Sequence, residues 1–195
     1  RSNYCSGSDA PLVGVALDEE HPQAFDGGRG LGVAFTSPDM FSWRAGNGAD
    51  TETAFERLNQ AGSRENETLD FLRHVHSNAV TSSKRVREAV RNAGIHGNPR
   101  GVQALDMVAA FIRAGLGTRI YYVSMGGFDT HANQLGRHDG LMGAFANGVS
   151  RFQRTLERDG TADRVAILVF SEFGRRVAQN ASGGTDHGAA APAFL

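Results

Sequence analysis

The order of apolar patterns in the second half of the chain constrains its fold most strongly. After Gly101, apolar residues recur at helical spacing up to Leu116, and residues 119–125 (RIYYVSM) then read as a strand. A second helical pattern leads to residues 165–170 (VAILVF), whose lack of polar alternation is typical of a strand covered on both faces. Helix, strand, helix and strand in this order predict a mostly parallel sheet with right-handed crossovers, and therefore a three-layer α/β/α domain.

Weaker patterns extend this interpretation towards residue 1. Residues 11–17 (PLVGVAL) and 31–35 (LGVAF) read as short strands, and a helical pattern covers residues 67–92. We interpret residues 1–195 as a single α/β domain whose motifs lie in residues 102–195. Because the chain opens with Arg1 and stops in an apolar run, we expect the domain to be incomplete at both ends.

Composition argues against several classes of protein. The chain has 195 residues, of which 40% are hydrophobic and 21% charged, as in ordinary globular domains. A formal net charge of -1 argues against an extended nucleic-acid-binding face, so we expect no nucleic-acid partner. No apolar run approaches the roughly 20 residues that a membrane-spanning helix needs. The single cysteine excludes an internal disulfide.

Three segments place carboxylates or imidazoles among glycines. Residues 126–131 (GGFDTH) and 171–175 (SEFGR) each follow a predicted strand directly, and residues 183–188 (GGTDHG) lie a short loop further on. In open α/β sheets the ligand crevice lies beyond the carboxyl ends of the strands, so we expect these segments to converge there. Glycine allows the backbone to approach a bound ligand closely.

The side chains of these segments are of the types that bind divalent metal ions. Asp, Glu and His together form the ligand set of ions such as zinc, manganese, calcium or magnesium. If all of them converge, they suffice for one ion and for a second one about 3.5–4 Å away. Arg175 is the predicted contact of an anionic substrate, or alternatively an exposed structural arginine. The predicted metal ligands are Asp129, His131, Glu172, Asp186 and His187.

Each predicted ligand also has a simpler structural interpretation. Asp129 could cap the following helix or close an Asx turn. Glu172 could form a solvated ion pair with one of the two arginines at residues 175–176. Residues 186–187 could belong to a polar turn. The residue pattern by itself leaves these alternatives open.

The same segments resemble those of a known bacterial family. The runs GGFDTHANQ, SEFGR and GTDHG are similar to those of the uncharacterised family catalogued as DUF1501, which is grouped with the alkaline phosphatase and sulfatase superfamily. The resemblance is specific over residues 105–195 and loose over residues 1–100. It implies an alkaline-phosphatase-like fold, a bound divalent metal and a periplasmic or extracytoplasmic location.

The resemblance also implies roles for individual residues. Asp129 and His131 stand where the superfamily places an Asp and a His from one loop on a metal ion. His187 looks like a later single histidine ligand, and Glu172 occupies a strand-end position at which relatives carry an Asp. Phe173 replaces the usual histidine. No residue matches the nucleophile of the superfamily hydrolases, which we expect to lie outside this chain.

The predicted function is metal-dependent hydrolysis of a small phosphate or sulfate ester. The ion would polarise the ester oxygen and lower the pKa of a hydroxyl nucleophile or water. The alternative is a non-catalytic extracytoplasmic binding or structural protein that keeps the fold, which the phenylalanine at position 173 favours.

Overall fold

The secondary structure combines a parallel sheet, long helices and a β-hairpin. The computed structural model describes residues 13–26, 32–41, 53–54, 57 and 67–195. The chain divides into two compact units. The first comprises residues 1–100 and 106–123, and the second comprises residues 101–105 and 124–195.

A three-stranded parallel sheet lies in the first unit. Its strands are β1 (Gly14–Leu17), β2 (Gly32–Ala34) and β3 (Ile120–Val123), in the spatial order β2-β1-β3. Val15 in β1 pairs with Val33 on one side and with Tyr121 on the other. All four residues of β1 are buried. The apolar strands predicted in residues 11–17, 31–35 and 119–125 are therefore confirmed, although residues 11, 12 and 31 lie outside the described part.

Two helices supply much of the buried apolar surface of this unit. They are α1 (Glu67–Asn92) and α2 (Leu105–Arg113). Phe111 of α2 is fully buried, and its ring stacks on that of Tyr121 with 6.4 Å between the centroids. Arg85 of α1 donates a hydrogen bond of 2.7 Å to the carbonyl of Gly115, just beyond the end of α2. This bond ties α1 to the turn that follows α2.

The second unit contains a long helix and an antiparallel hairpin. The helix is α3 (Gln134–Arg158), and the hairpin strands are β4 (Gly174–Gln179) and β5 (Thr185–Gly188). The short 3-10 helix Gly101–Ala104 packs on α3, and Gly148 of α3 lies against Val102. In the described part of the chain, no helix is both long and apolar enough to span a lipid bilayer.

The apolar run at residues 165–170 does not form the buried sheet strand that its sequence predicts. Val169 forms an isolated antiparallel bridge to Phe194, and Leu168 and Phe170 are 62% and 56% exposed. A strand needs neighbours along its length to satisfy its backbone groups, and among the described residues this run has that single bridge. Residues 174–179 and 185–188, for which the sequence predicted no strand, pair with each other and form the hairpin.

Replacing Gly148 by alanine should destabilise the second unit. The added Cβ would lie 2.5 Å from the Cβ of Val102, and overpacking of this kind typically costs about 1–3 kcal/mol. Gly143→Ala on the same helix is the matched control, because nothing lies within 4 Å of a Cβ at that position. The control should be stabilising by about 0.5–1 kcal/mol, since alanine is the better helix former. Urea denaturation monitored by circular dichroism measures the free energy of unfolding of both variants. Equal changes in that free energy would contradict the described packing.

Candidate metal centre

The hairpin tip and the loop before α3 are joined through their backbones. The amides of Asn133 and Gln134 donate to the carbonyls of Ser182 and Gly183, each at 3.0 Å. Amides at the start of a helix have no partner within it, so the hairpin tip caps α3. Asn133 itself adopts a left-handed φ of 45°, a conformation that asparagine tolerates better than most residues. Gly184 permits the close approach, because a Cβ there would overlap the main-chain carbonyl of His131.

Asn180 organises the hairpin tip through its side-chain amide. Its Nδ2 donates to the carbonyl of His131 and to Oδ1 of Asp186, both at 3.0 Å. Its Oδ1 accepts from the backbone amides of Ser182 and Gly184, also at 3.0 Å. Sequence reasoning missed this residue. The available signal was an asparagine shortly before a Gly-Gly pair, since asparagine commonly bonds to the backbone of the turn that it opens.

Asp129, His131 and His187 converge, and we call these three residues the Asp-His-His cluster. Oδ1 of Asp129 lies 2.8 Å from Nε2 of His187 and 2.9 Å from Nε2 of His131. The two imidazole centroids are 4.9 Å apart, and one potential ligand atom from each residue lies within 4.8 Å of the others. All three side chains are exposed. Three of the five predicted metal ligands therefore meet at one point of the second unit.

The cluster keeps its carboxylate ionised. The hydrogen bond with His187 is the largest effect and lowers the pKa of Asp129. Desolvation opposes it, and the charges of His131 and His187 and the hydrogen bond with His131 lower the pKa further. The ionised carboxylate is the form that binds cations. Oδ1 of Asp129 faces the two imidazoles, and the residue at the N-cap position of α3 is Asn133.

Asp186 lies beside the cluster. Its Oδ1 is 3.7 Å from Nδ1 of His131, which is the ring nitrogen that does not face Asp129. The hydrogen bond from Asn180 is the main cause of the lowered pKa of Asp186. A carboxylate beside the second nitrogen of a metal-binding histidine commonly orients its ring. Asp186 and His187 belong to strand β5 and not to a polar turn.

Glu172 lies apart from these groups. It is exposed, and it is not among the residues whose ligand atoms converge. No ion pair joins it to either neighbouring arginine in the described part of the chain, so the structure gives no support for the simpler interpretation either. Its role as a metal ligand stays a prediction.

Arg175 connects the loop to the hairpin. Its side chain is 19% exposed, so it is not the exposed arginine of the simpler interpretation. One terminal nitrogen donates to the carbonyl of Phe128 at 2.7 Å, and the other donates to the carbonyl and hydroxyl of Thr185. The guanidinium also lies 3.9 Å from Oδ1 of Asp129. The Thr185 hydroxyl in turn donates to Oε1 of Gln134 at the start of α3, and neither residue was singled out from the sequence.

Comparison with protein families identifies the family of the chain. The family model described as "Protein of unknown function (DUF1501)" matches residues 14–195. The chain belongs to the DUF1501 family. The match includes the whole Asp-His-His cluster and both strands of the hairpin, so the candidate site is part of the DUF1501 domain. No curated protein and no solved structure gives a significant match to the chain.

Replacing Asn180 by alanine should loosen the hairpin tip. The change removes the acceptor for the amides of Ser182 and Gly184 and the donor to His131 and Asp186. We expect the free energy of unfolding to fall by about 1 kcal/mol or more. Amide hydrogen exchange at residues 182 and 184 should therefore accelerate. Ser182→Ala is the control, because the tip uses the backbone of that residue. Unchanged exchange in the Asn180 variant would show that its side chain does not organise the tip.

Proposed function

We propose that this DUF1501 chain is part of a metal-dependent hydrolase of phosphate or sulfate esters, with the Asp-His-His cluster as its metal site. The convergence of Asp129, His131 and His187, with ligand atoms within 4.8 Å of one another, is the observation that carries the proposal. Two of these residues come from the loop before α3, and the third comes from β5. Exposure of all three leaves a small ester free to reach them.

The donor set fits a divalent ion, and zinc best. Two imidazoles and one carboxylate form a common set at catalytic zinc sites, which keep a further position open for water or substrate. Zinc bonds to these donors are about 2.0–2.2 Å long, so donors around a tetrahedral ion lie roughly 3.3 Å apart. The ligand atoms of the cluster lie within 4.8 Å of one another, with the two Asp129 contacts at 2.8 and 2.9 Å, so these exposed side chains would have to shift to hold the ion. Magnesium and calcium prefer ligand sets made of oxygen, so they fit less well.

A bound ion supplies Lewis-acid stabilisation of the ester oxygen and lowers the pKa of a hydroxyl or water. The residues of the chain would hold and surround it. Asp129 provides the charged ligand, and Asp186 maintains the ring orientation of His131 from its other nitrogen. The Arg175 charge, 3.9 Å from Asp129, favours an anionic ester near the cluster. We assign the nucleophile to no residue of this chain.

The proposal includes a three-layer, alkaline-phosphatase-like fold and a periplasmic or extracytoplasmic location. Its support is the resemblance of the motifs GGFDTHANQ, SEFGR and GTDHG to that superfamily. The parallel sheet β2-β1-β3, flanked in sequence by helices, is compatible with such a fold.

A non-catalytic binding protein is the second candidate. Arg175 favours it, because both terminal nitrogens of the guanidinium already donate to Phe128 and Thr185. An arginine engaged in this way has fewer donors to offer to a transferred phosphoryl or sulfuryl group. The cluster would then hold a metal ion without turning over an ester.

The chain should bind one zinc ion, as measured by equilibrium dialysis with elemental analysis. His131→Ala and His187→Ala each remove one of three ligands and should weaken binding by about 100-fold or more. Asp163→Asn is the matched control, since Asp163 lies in the turn at Ala162–Arg164 and outside the cluster, and its zinc affinity should stay within about twofold of the wild type. Absence of zinc binding by the wild type would rule out the proposed site.

The natural full-length protein should hydrolyse an aryl phosphate or aryl sulfate ester in the presence of zinc. A chelator should abolish the activity and added zinc should restore it, because the ion stabilises the charge that develops on the ester oxygen. Asp129→Asn should lower kcat/KM by about 100-fold or more, whereas Ser182→Ala should leave it unchanged. Zinc binding without turnover of either ester would favour the non-catalytic candidate.

A further inference from the structure

Phe173 lies flat against His187. The two ring centroids are 4.3 Å apart and the ring planes meet at 19°, which is a stacked arrangement. Phe173 is half-buried and lies directly before β4. The hydroxyl of Ser171 donates to its carbonyl at 2.7 Å, and the Arg175 guanidinium carbon lies 5.2 Å from its ring centroid. The Ser171 bond therefore holds the backbone of Phe173, and the Arg175 guanidinium lies near its ring.

The hairpin register explains this contact. Arg175 and His187 are direct cross-strand partners. Side chains alternate along a strand, so Phe173 and Arg175, two residues apart, lie on the same face as His187. A diagonal neighbour across an antiparallel pair is within reach of an aromatic side chain.

The two histidines of the cluster are held by different means. His131 has a carboxylate near each ring nitrogen, Asp129 at 2.9 Å and Asp186 at 3.7 Å. His187 hydrogen-bonds to Asp129 through Nε2, and within the described part of the chain no hydrogen bond holds its Nδ1. A single hydrogen bond defines the plane of the imidazole only weakly, because the side chain can still turn about its χ1 and χ2 torsions. Stacking on the Phe173 ring restricts those torsions, because tilting the imidazole would break the contact.

We infer that Phe173 is a positioning residue, whose ring holds the imidazole plane of His187 so that Nε2 points into the Asp-His-His cluster. The inference rests on the proposed function, in which His187 binds a metal ion. It specifies that a flat ring is needed at position 173, and not only apolar volume. Groups that orient a metal ligand typically change metal affinity by 10- to 100-fold when they are removed, roughly the range expected here.

Zinc binding by the wild type and three single variants tests the inference. Phe173→Leu keeps apolar volume without a flat ring and should weaken zinc binding by about tenfold. Phe173→Tyr keeps the ring and should bind zinc within about twofold of the wild type. Phe194→Leu makes the same exchange at an exposed phenylalanine far along the chain and should have no effect. The visible absorption bands of bound cobalt should change in Phe173→Leu and be preserved in Phe173→Tyr.

A measurement on the metal-free protein separates this inference from the proposed function. In Phe173→Leu, the nitrogen chemical shifts of the His187 ring should move towards those of a free imidazole, because Nε2 leaves Asp129. If the wild type binds no zinc, the proposed function fails, and these shifts alone decide whether Phe173 orients His187. Wild-type shifts and affinity in Phe173→Leu would overturn the inference, as would equal losses in the leucine and tyrosine variants. Phe173→Met replaces the leucine variant if thermal unfolding shows that the latter does not fold.

Discussion

The candidate site depends on one carboxylate shared by two imidazoles. Asp129 contacts His131 within its own loop and His187 in the hairpin, so its negative charge joins two separate pieces of the second unit. Cationic or hydrogen-bonding groups around it lower its pKa and keep it charged. Neutralising this carboxylate would leave the two imidazoles without a common partner. In the proposed function, the same charge would attract a divalent cation.

Other bonds of the second unit position the loop that carries Asp129, and these bonds do not involve its carboxylate. Carbonyls of the hairpin tip cap α3, Asn180 bonds to both segments, and Arg175 reaches from β4 to the carbonyl of Phe128. Each of these bonds uses a backbone group of the loop or the hairpin, so side chains at the cluster can vary without loss of the connection. If the cluster binds a metal ion as proposed, these supported segments would help to keep its ligands in place.

The local patterns of the sequence predicted the elements and three of the cluster residues. Helical spacing and apolar runs located α2, α3 and the three parallel strands, because those signals depend on near neighbours in the chain. The hairpin was not predicted, since the pairing of residues 174–179 with 185–188 depends on the turn that Asn180 opens. The run at residues 165–170 shows the converse: apolar character indicates burial, but it does not say which strands lie alongside. Glu172 was grouped with the cluster by its sequence position, which says nothing about where its carboxylate points.

The Asp129–His187 contact joins residues that are 58 positions apart, with the whole of α3 between them. Closing so long a stretch of chain costs entropy, so we expect the donors to meet only after the helix and hairpin have formed. A cation captured there would bind the finished tertiary structure and not its precursors, and mass action would then protect that structure against unfolding. Metal binding would then follow folding and would not nucleate it.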